Sequence, residues 1–257
     1  MGKNSNLLTI ERRKLLLEKL QAEKKVVVAD MCRLFGVSDE TIRRDLAALE
    51  KEGLAIKSYG GAVLNEDHSE APFHIRKKSN TEGKKIIADI IKNRINDGEH
   101  IVIDASSTAL SIVHALDDKD NLTLITNSIE VMLEAMCHNN WDVISTGGKL
   151  YEKYLAFAGP GAMESFRTMN ADKIIFSCKG MDMERGITDG NAIFAHLKRT
   201  MLESVRERIL AVDHTKFDNI AFYNICDIAD VNTIVTDIRP SDEWMAYFKE
   251  KGITCLY

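Results

Sequence analysis

Residues 36–49 read Gly-Val-Ser-Asp-Glu-Thr-Ile-Arg-Arg-Asp-Leu-Ala-Ala-Leu, and this stretch decides how the first quarter of the chain is built. Ser38 is a side-chain cap for a helix, Asp39 and Glu40 stand in its first turn, where the helix dipole favours negative charge, and Ile42, Leu46 and Leu49 recur at helical spacing. One face is therefore buried. The faces left over carry Thr41, Arg43, Arg44 and Ala47, so a hydroxyl and two guanidinium groups stand with small residues behind them. Such a face suits a DNA groove.

Upstream, 9–20 predicts a helix with Ile10, Leu15, Leu16, Leu17 and Leu20 as its apolar face and Arg12, Arg13 and Lys14 interleaved. Val26, Val27 and Val28 lead into a second helix, 29–35, which Gly36 ends by letting the chain turn sharply. Helix, glycine turn, helix is the spacing of a helix-turn-helix. Downstream of Gly53, residues 54–63 predict two short strands around Gly60-Gly61, the wing of a winged helix. Periodicity alone would equally serve a helical interaction module, and Arg43 and Arg44 a solvated face.

The 257 residues, 45% of them hydrophobic, suffice for one large or two modest cores. No apolar run approaches the roughly 20 residues that span a bilayer, and the first residues lack the apolar core of a secretory signal. The expectation is a cytoplasmic protein with no membrane partner. Cys32, Cys137, Cys178, Cys226 and Cys255 are far apart, with no Cys-x-x-Cys and no His pair at ligand spacing. That predicts buried free thiols and neither a disulfide framework nor a metal; Cys137 and His138 read as helix-end packing. The net charge of -5 argues by itself against nucleic acid. Its distribution does not, because residues 1–61 carry 12 Lys and Arg against 9 Asp and Glu, a net of +3, and the remainder is net -8.

Residues 64–71 lack apolar periodicity and precede Pro72, which predicts a linker over 64–75 between a domain at 1–63 and another at 76–257. A long helix, 81–96, follows, with Ile86, Ile87, Ile90, Ile91 and Ile95 marking its buried side. From there β-branched runs at 101–103, 122–125, 143–144, 173–176, 209–212, 233–235 and 253–256 alternate with helical stretches near 108–116, 128–137, 161–169, 192–206 and 241–251. Such alternation calls for an α/β domain, a mostly parallel sheet with helices on both faces.

The ends of those strands are polar. Asp104-Ala105-Ser106-Ser107-Thr108, Thr126-Asn127-Ser128, Ser145-Thr146-Gly147-Gly148, Ser177-Cys178-Lys179-Gly180, Asp213-His214-Thr215-Lys216 and Thr236-Asp237 each follow one of them. In open parallel sheets these ends form the ligand crevice, here one suited to a small hydroxylated ligand. The 104–108 turn opens a helix and directs backbone N–H groups and hydroxyls at an anion; Gly147-Gly148 lets a second backbone loop approach, and Lys216 offers a neutralising charge. Neither Gly-x-Gly-x-x-Gly nor Gly-Lys-Ser occurs, so no nucleotide cofactor is expected.

Val37-Ser38, Thr41-Ile42-Arg43-Arg44-Asp45-Leu46, Leu49, Gly53 and Gly60-Gly61-Ala62 together resemble the N-terminal domain of the DeoR (GlpR-type) family of bacterial transcription regulators. The resemblance extends over the rest of the chain through 104–108, Thr126-Asn127, Gly147-Gly148, Gly180 with Asp182, Gly186-Ile187-Thr188, Lys198-Arg199 with Met201, and 213–217. It implies a sensor domain similar in fold to ribose-5-phosphate isomerase and a phosphorylated-sugar effector. The chain departs from the family's pattern at Ser106, where a glycine is common, and at Phe194 to Leu197, where an acidic residue often stands. Residues 72–76, 104–108, Lys153-Tyr154, 176–178 with Gly180 and Asp182, and Asn191-Ala192 are similar to the family's L-fucose operon activator branch, which implies fuculose 1-phosphate or a relative.

These readings name Ser38, Thr41, Arg43, Arg44, Lys57 and Tyr59 as DNA-binding candidates. For the effector they name Asp104, Ser106, Ser107, Thr108, Thr126, Asn127, Gly147, Gly148, Lys179, Asp182, Asp189, Asn191, Asp213 and Lys216. An isomerase would need a general base, and the strand ends offer Asp104, Asp182, Asp189 and Asp213 but no glutamate in a matching motif. The expected protein is a non-enzymatic regulator without cofactor or metal, a homodimer or homotetramer that binds double-stranded operator DNA.

Overall fold

In the computed structural model, which describes residues 8–51, 54–64, 71–138 and 140–257, the chain divides into two units, Met1–Pro72 and Phe73–Tyr257. Gly53 and residues 65–70 of the expected linker lie outside the described residues. Among the described residues no helix is long and apolar enough to cross a membrane.

The first unit runs α1 (Thr9–Glu23), β1 (Lys25–Val27), α2 (Val28–Phe35), α3 (Asp39–Lys51), β2 (Ala55–Ser58) and β3 (Gly61–Leu64). Leu16 and Leu20 of α1, Met31 and Phe35 of α2, and Ile42, Leu46 and Leu49 of α3 form its buried centre. Ile10 and Leu15, expected in that core, are exposed. The inward stripe of α1 runs through positions 12, 16 and 20 at helical spacing, so its outermost place goes to Arg12. Gly36, at φ 66, closes α2 and donates its N–H to Cys32 O. The run entering α2 is in fact a strand: β1 lies antiparallel to β3, which pairs with β2 in the order β1-β3-β2. Only glycine lets β3 start where it does, because a Cβ at Gly61 would stand 2.0 Å from Val26 O.

The second unit begins with α4 (Phe73–Lys78) and α5 (Thr81–Lys92). Of the expected linker, Leu64 therefore belongs to β3 and 73–75 to α4, because Phe73 is buried in the second unit's core. β4 (His100–Ile103), α6 (Ser107–Ala115), β5 (Thr123–Thr126), α7 (Ile129–Ala135) and β6 (Asp142–Ser145) follow in strict alternation. Next come a hairpin of β7 (Lys149–Tyr151) and β8 (Ala156–Ala158), then α8 (Pro160–Arg167) and β9 (Ala171–Phe176). The chain continues through β10 (Gly180–Asp182), β11 (Gly186–Asp189), α9 (Ala192–Glu203), β12 (Val205–Ala211) and β13 (Tyr223–Cys226). It closes with β14 (Thr233–Val235), α10 (Asp242–Lys251) and β15 (Thr254–Leu256).

Among the described residues, seven parallel strands form one sheet in the order β15-β14-β12-β9-β4-β5-β6. Alternate residues feed opposite faces. Val102, Ile174, Phe176 and Leu210 pack under α8, α9 and α10, while Ile101, Ile103, Ile175, Ile209 and Ala211 pack under α5, α6 and α7. Ile86, expected on the buried side of α5, is exposed. The expected helix over 192–206 stops at Glu203, since 205–206 belong to β12. A small antiparallel sheet, β10-β11-β13, is additional to the expected elements. Cys178 alone of the thiols is fully buried, and burial pushes it up to about 12; Cys32, Cys226 and Cys255 are half-buried and Cys137 is exposed. His138 stacks on Trp141 at 3.9 Å.

Candidate functional site

Each unit carries its own candidate surface. In the first, Ser38 Oγ accepts the Thr41 N–H at 3.4 Å and so caps α3, and it lies 2.9 Å from Thr41 Oγ1, which ties the two hydroxyl groups together. Arg43 is paired with Asp39 and Arg44 with Glu40, each one turn earlier, and both guanidinium groups remain more than half exposed. Lys57 of β2 reaches Glu50 of α3 at 2.9 Å, and its backbone N–H donates to the same carboxylate, which holds Glu50 below the usual carboxylate range. Exposed pairs of this kind are weak, and a phosphate is a ready substitute for the carboxylate. Tyr59 is fully exposed at the wing tip, just before Gly60 turns the chain at φ 78. On the inner margin of α3, Asp45 is buried against α1, where Arg12 Nε at 2.6 Å and Arg13 Nε at 2.9 Å bind its two oxygens.

The second unit has a topological switch point where β4 meets β9. From β4 the chain steps outward through β5 and β6; from β9 it steps the other way through β12, β14 and β15. Asp104 ends β4 at this point and is almost completely buried. Its Oδ1 accepts the Ser106 N–H and its Oδ2 the Ser177 N–H, each at 3.1 Å. Lys198 Nζ of α9 sits between two carboxylates, 3.4 Å from Asp104 Oδ2 and 2.8 Å from Asp189 Oδ2, and donates to Ser177 O at 2.7 Å. Asp189 also accepts the Asn191 N–H, and Asn191 in turn caps α9. Lys198 was visible in the sequence only as part of a motif; here it is the centre of the group.

Several expected residues line the neighbouring strand ends. Ser106 caps α6 through the Ala109 N–H, leaving the first-turn N–H groups of Ser107 and Thr108 without an acceptor inside the helix. Thr126 Oγ1 accepts the Ser128 N–H. Asn127 is tied twice to Phe157, by its backbone O and by Nδ2 at 2.8 Å, which anchors β8 across the strand end; its Oδ1 is buried without a hydrogen-bond partner. Gly147 and Gly148 both have positive φ, and a Cβ at Gly148 would meet Ala158 O at 2.9 Å. Asp213 binds the Thr215 N–H and stands 4.0 Å from Lys216 Nζ.

Two expected residues stand apart. Asp182 accepts the Glu184 and Arg185 N–H groups, each at 2.9 Å, and so builds the β10–β11 turn, at the opposite end of that hairpin from Asp189. The Lys179 side chain is exposed, while its backbone N–H bonds to Thr188 O.

The sequence reading missed Lys84. It is buried at 4% exposure, and its Nζ donates to Arg76 O and Ser79 O at the end of α4. Burial pulls its pKa down to about 8; Asp213 opposes the shift, and Lys216 and Arg76 add to it. Lys84 thus feels the charges of Asp213, Lys216 and Arg76 together. The signal was present, since 84, 87, 88, 91 and 95 form one buried stripe with a lysine at its head. Nearby, Asn80 and His214 both bind Asp237, at 3.1 and 2.8 Å. Burial would raise the Asp237 carboxyl, but these hydrogen bonds outweigh it and hold it low. Among the described residues no group of three or more His, Cys, Asp or Glu is placed to hold a metal.

Comparison with known proteins places both units. Residues 12–68 match the family described as the DeoR-like helix-turn-helix domain, and residues 79–238 match the DeoR C terminal sensor domain. The chain is 39% identical over 232 residues to the HTH-type transcriptional regulator YulB of Bacillus subtilis, covering 90% of each chain. It is 31% identical over 243 residues to the L-fucose operon activator of Haemophilus influenzae, covering 94% of this chain and 97% of that one. Identity to the glycerol-3-phosphate regulon repressor of Escherichia coli is 29%, covering 88% and 89%. Among solved structures, the ribose 5-phosphate isomerase A of Methanocaldococcus jannaschii is similar at TM-score 0.40 and 15% identity, over 54% of this chain and 55% of that one.

Proposed function

Because the chain belongs to the DeoR family of transcriptional regulators, we propose that its strand-end crevice binds a phosphorylated sugar and that occupancy controls how α3 and the wing grip operator DNA. The observation that carries the effector reading is Lys84, a buried lysine on which burial, Lys216 and Arg76 outweigh Asp213. An anion relieves that imbalance. The phosphate is taken by Lys84, Lys216 and the open N–H groups at the start of α6, and sugar hydroxyls satisfy groups such as the orphaned Asn127 Oδ1. Fuculose 1-phosphate is the first candidate, on the similarity to the L-fucose operon activator and the residues shared with that branch.

The chain is not an isomerase in this reading. Asp104 and Asp189 are each engaged by backbone N–H groups and share the Lys198 ammonium, so neither stands ready to take a proton from carbon. DNA reading rests on Arg43, Arg44 and Thr41 at base edges and phosphates, with Lys57 and Tyr59 of the wing on the backbone. A homodimer or homotetramer in the cytoplasm sets two copies of α3 in successive major grooves. The effector acts by binding one arrangement of the assembly better than another.

The test is a thermal-shift panel of phosphorylated sugars, which should raise the melting temperature for at least one member, less so in Lys84→Met and Lys216→Ala. A panel that moves nothing removes the effector reading. Anisotropy with the DNA upstream of its own operon should show salt-dependent binding that an Arg43→Ala, Arg44→Ala double variant loses.

A further inference from the structure

Asp45 is the carboxylate on α3 that faces away from solvent, and two arginines from consecutive positions of α1 divide it between them. They are placed unequally. The Arg12 side chain is 9% exposed, whereas that of Arg13 is 39% exposed. Arg43, Arg44, Lys57 and Arg33 each have their own acid in Asp39, Glu40, Glu50 and Asp30. Asp45 instead has two guanidinium groups, one on each oxygen, and that of Arg13 is the more exposed.

Geometry says where the Arg13 guanidinium is presented. Position 45 lies one turn after Thr41, at the margin where the buried stripe of Ile42, Leu46 and Leu49 gives way to the exposed face of α3. Arg13 spends its Nε on Asp45 Oδ1 and keeps the rest of a planar, five-donor fork at a half-exposed margin. A guanidinium already fixed by a buried carboxylate gives up little rotamer freedom when it meets a second anion, and its fork matches two phosphate oxygens.

We propose that Arg13, held in place by Asp45, is a DNA-backbone contact that takes a phosphate at the flank of the recognition helix, while Arg12 neutralises the buried carboxylate. The assignment rests on the reading of this unit as the DNA reader. Asp45 is then a positioning residue, acting through Arg13.

The experiment measures affinity for a mixed-sequence duplex against salt concentration, for the wild-type chain and Arg13→Gln. Losing one phosphate contact lowers the slope of log K against log salt by about 0.9. The expected result is a slope shallower by that amount in a variant that still melts cooperatively. A weaker variant with the wild-type slope would mean that Arg13 only supports α3, and would overturn the assignment. If Arg13→Gln does not fold, phenylglyoxal labelling of the wild-type chain decides: DNA should protect Arg13, and equal labelling with and without DNA overturns the proposal. A wild-type chain that binds no duplex overturns the DNA-reading assignment itself, a different failure from an unchanged slope.

Discussion

A single buried amine carries the sharpest chemistry in the second unit. Lys84 has a folded-state pKa of about 8, below that of an exposed lysine, so between pH 8 and roughly 10.4 the unfolded chain binds more protons at this group than the folded one. From Lys84 alone, stability therefore rises with pH across that window. Anion binding moves the other way, because a phosphate favours the ammonium; its affinity should fall as pH rises through 8, by up to about tenfold per unit. Titration calorimetry at several pH values would check this, with Lys84→Met weaker throughout and flat across the window. Lys198 makes a different prediction. Lys198→Met leaves Asp104 and Asp189 buried without their shared cation, which should cost about 3–5 kcal/mol in urea unfolding of the second unit. Neither lysine was assigned a site role from the sequence. Lys84 was hidden inside a stripe read for its isoleucines, and Lys198 needs Asp104, Ser177 and Asp189 folded around it before its position means anything.

Elements were legible where the chain repeats its signal and lost where it does not. Each strand of the parallel sheet holds or adjoins a short cluster of β-branched residues between polar or helical stretches, and in the central strands alternate side chains go to two cores, so all seven were readable. The strands of the β7–β8 hairpin and the β10-β11-β13 sheet hold few β-branched residues, and Gly180 and Gly186 open two of them, so nothing marks them as strands. The face of α1 is hard to read because a charged residue takes an inward place: Arg12 is buried against Asp45, a partner on another helix. The wing was legible from its glycines: Gly60 turns the chain at φ 78, and Gly61 is required by contact. Gly61→Ala would drive β3 off β1, since a Cβ there meets Val26 O at 2.0 Å. The variant should melt earlier in the first unit and bind DNA more weakly, with sugar-phosphate binding unchanged in the thermal-shift assay.

Over the whole molecule, two units with separate cores should unfold in separate transitions. In calorimetry a sugar phosphate at one hundred times its Kd should stabilise the second transition by about 2.7 kcal/mol and leave the first in place. The order of the parallel sheet has a further consequence, measured in time. β4 and β9 are neighbours at the centre, yet β5, β6 and the β7–β8 hairpin are made between them, and Lys198 comes later still. At roughly 5–20 residues per second, the ribosome needs roughly 5–20 s to pass from Asp104 to Lys198. During that interval the first unit is already complete and able to fold while the crevice has only one of its walls. Each newly made copy can thus shape its helix-turn-helix before it has any hearing.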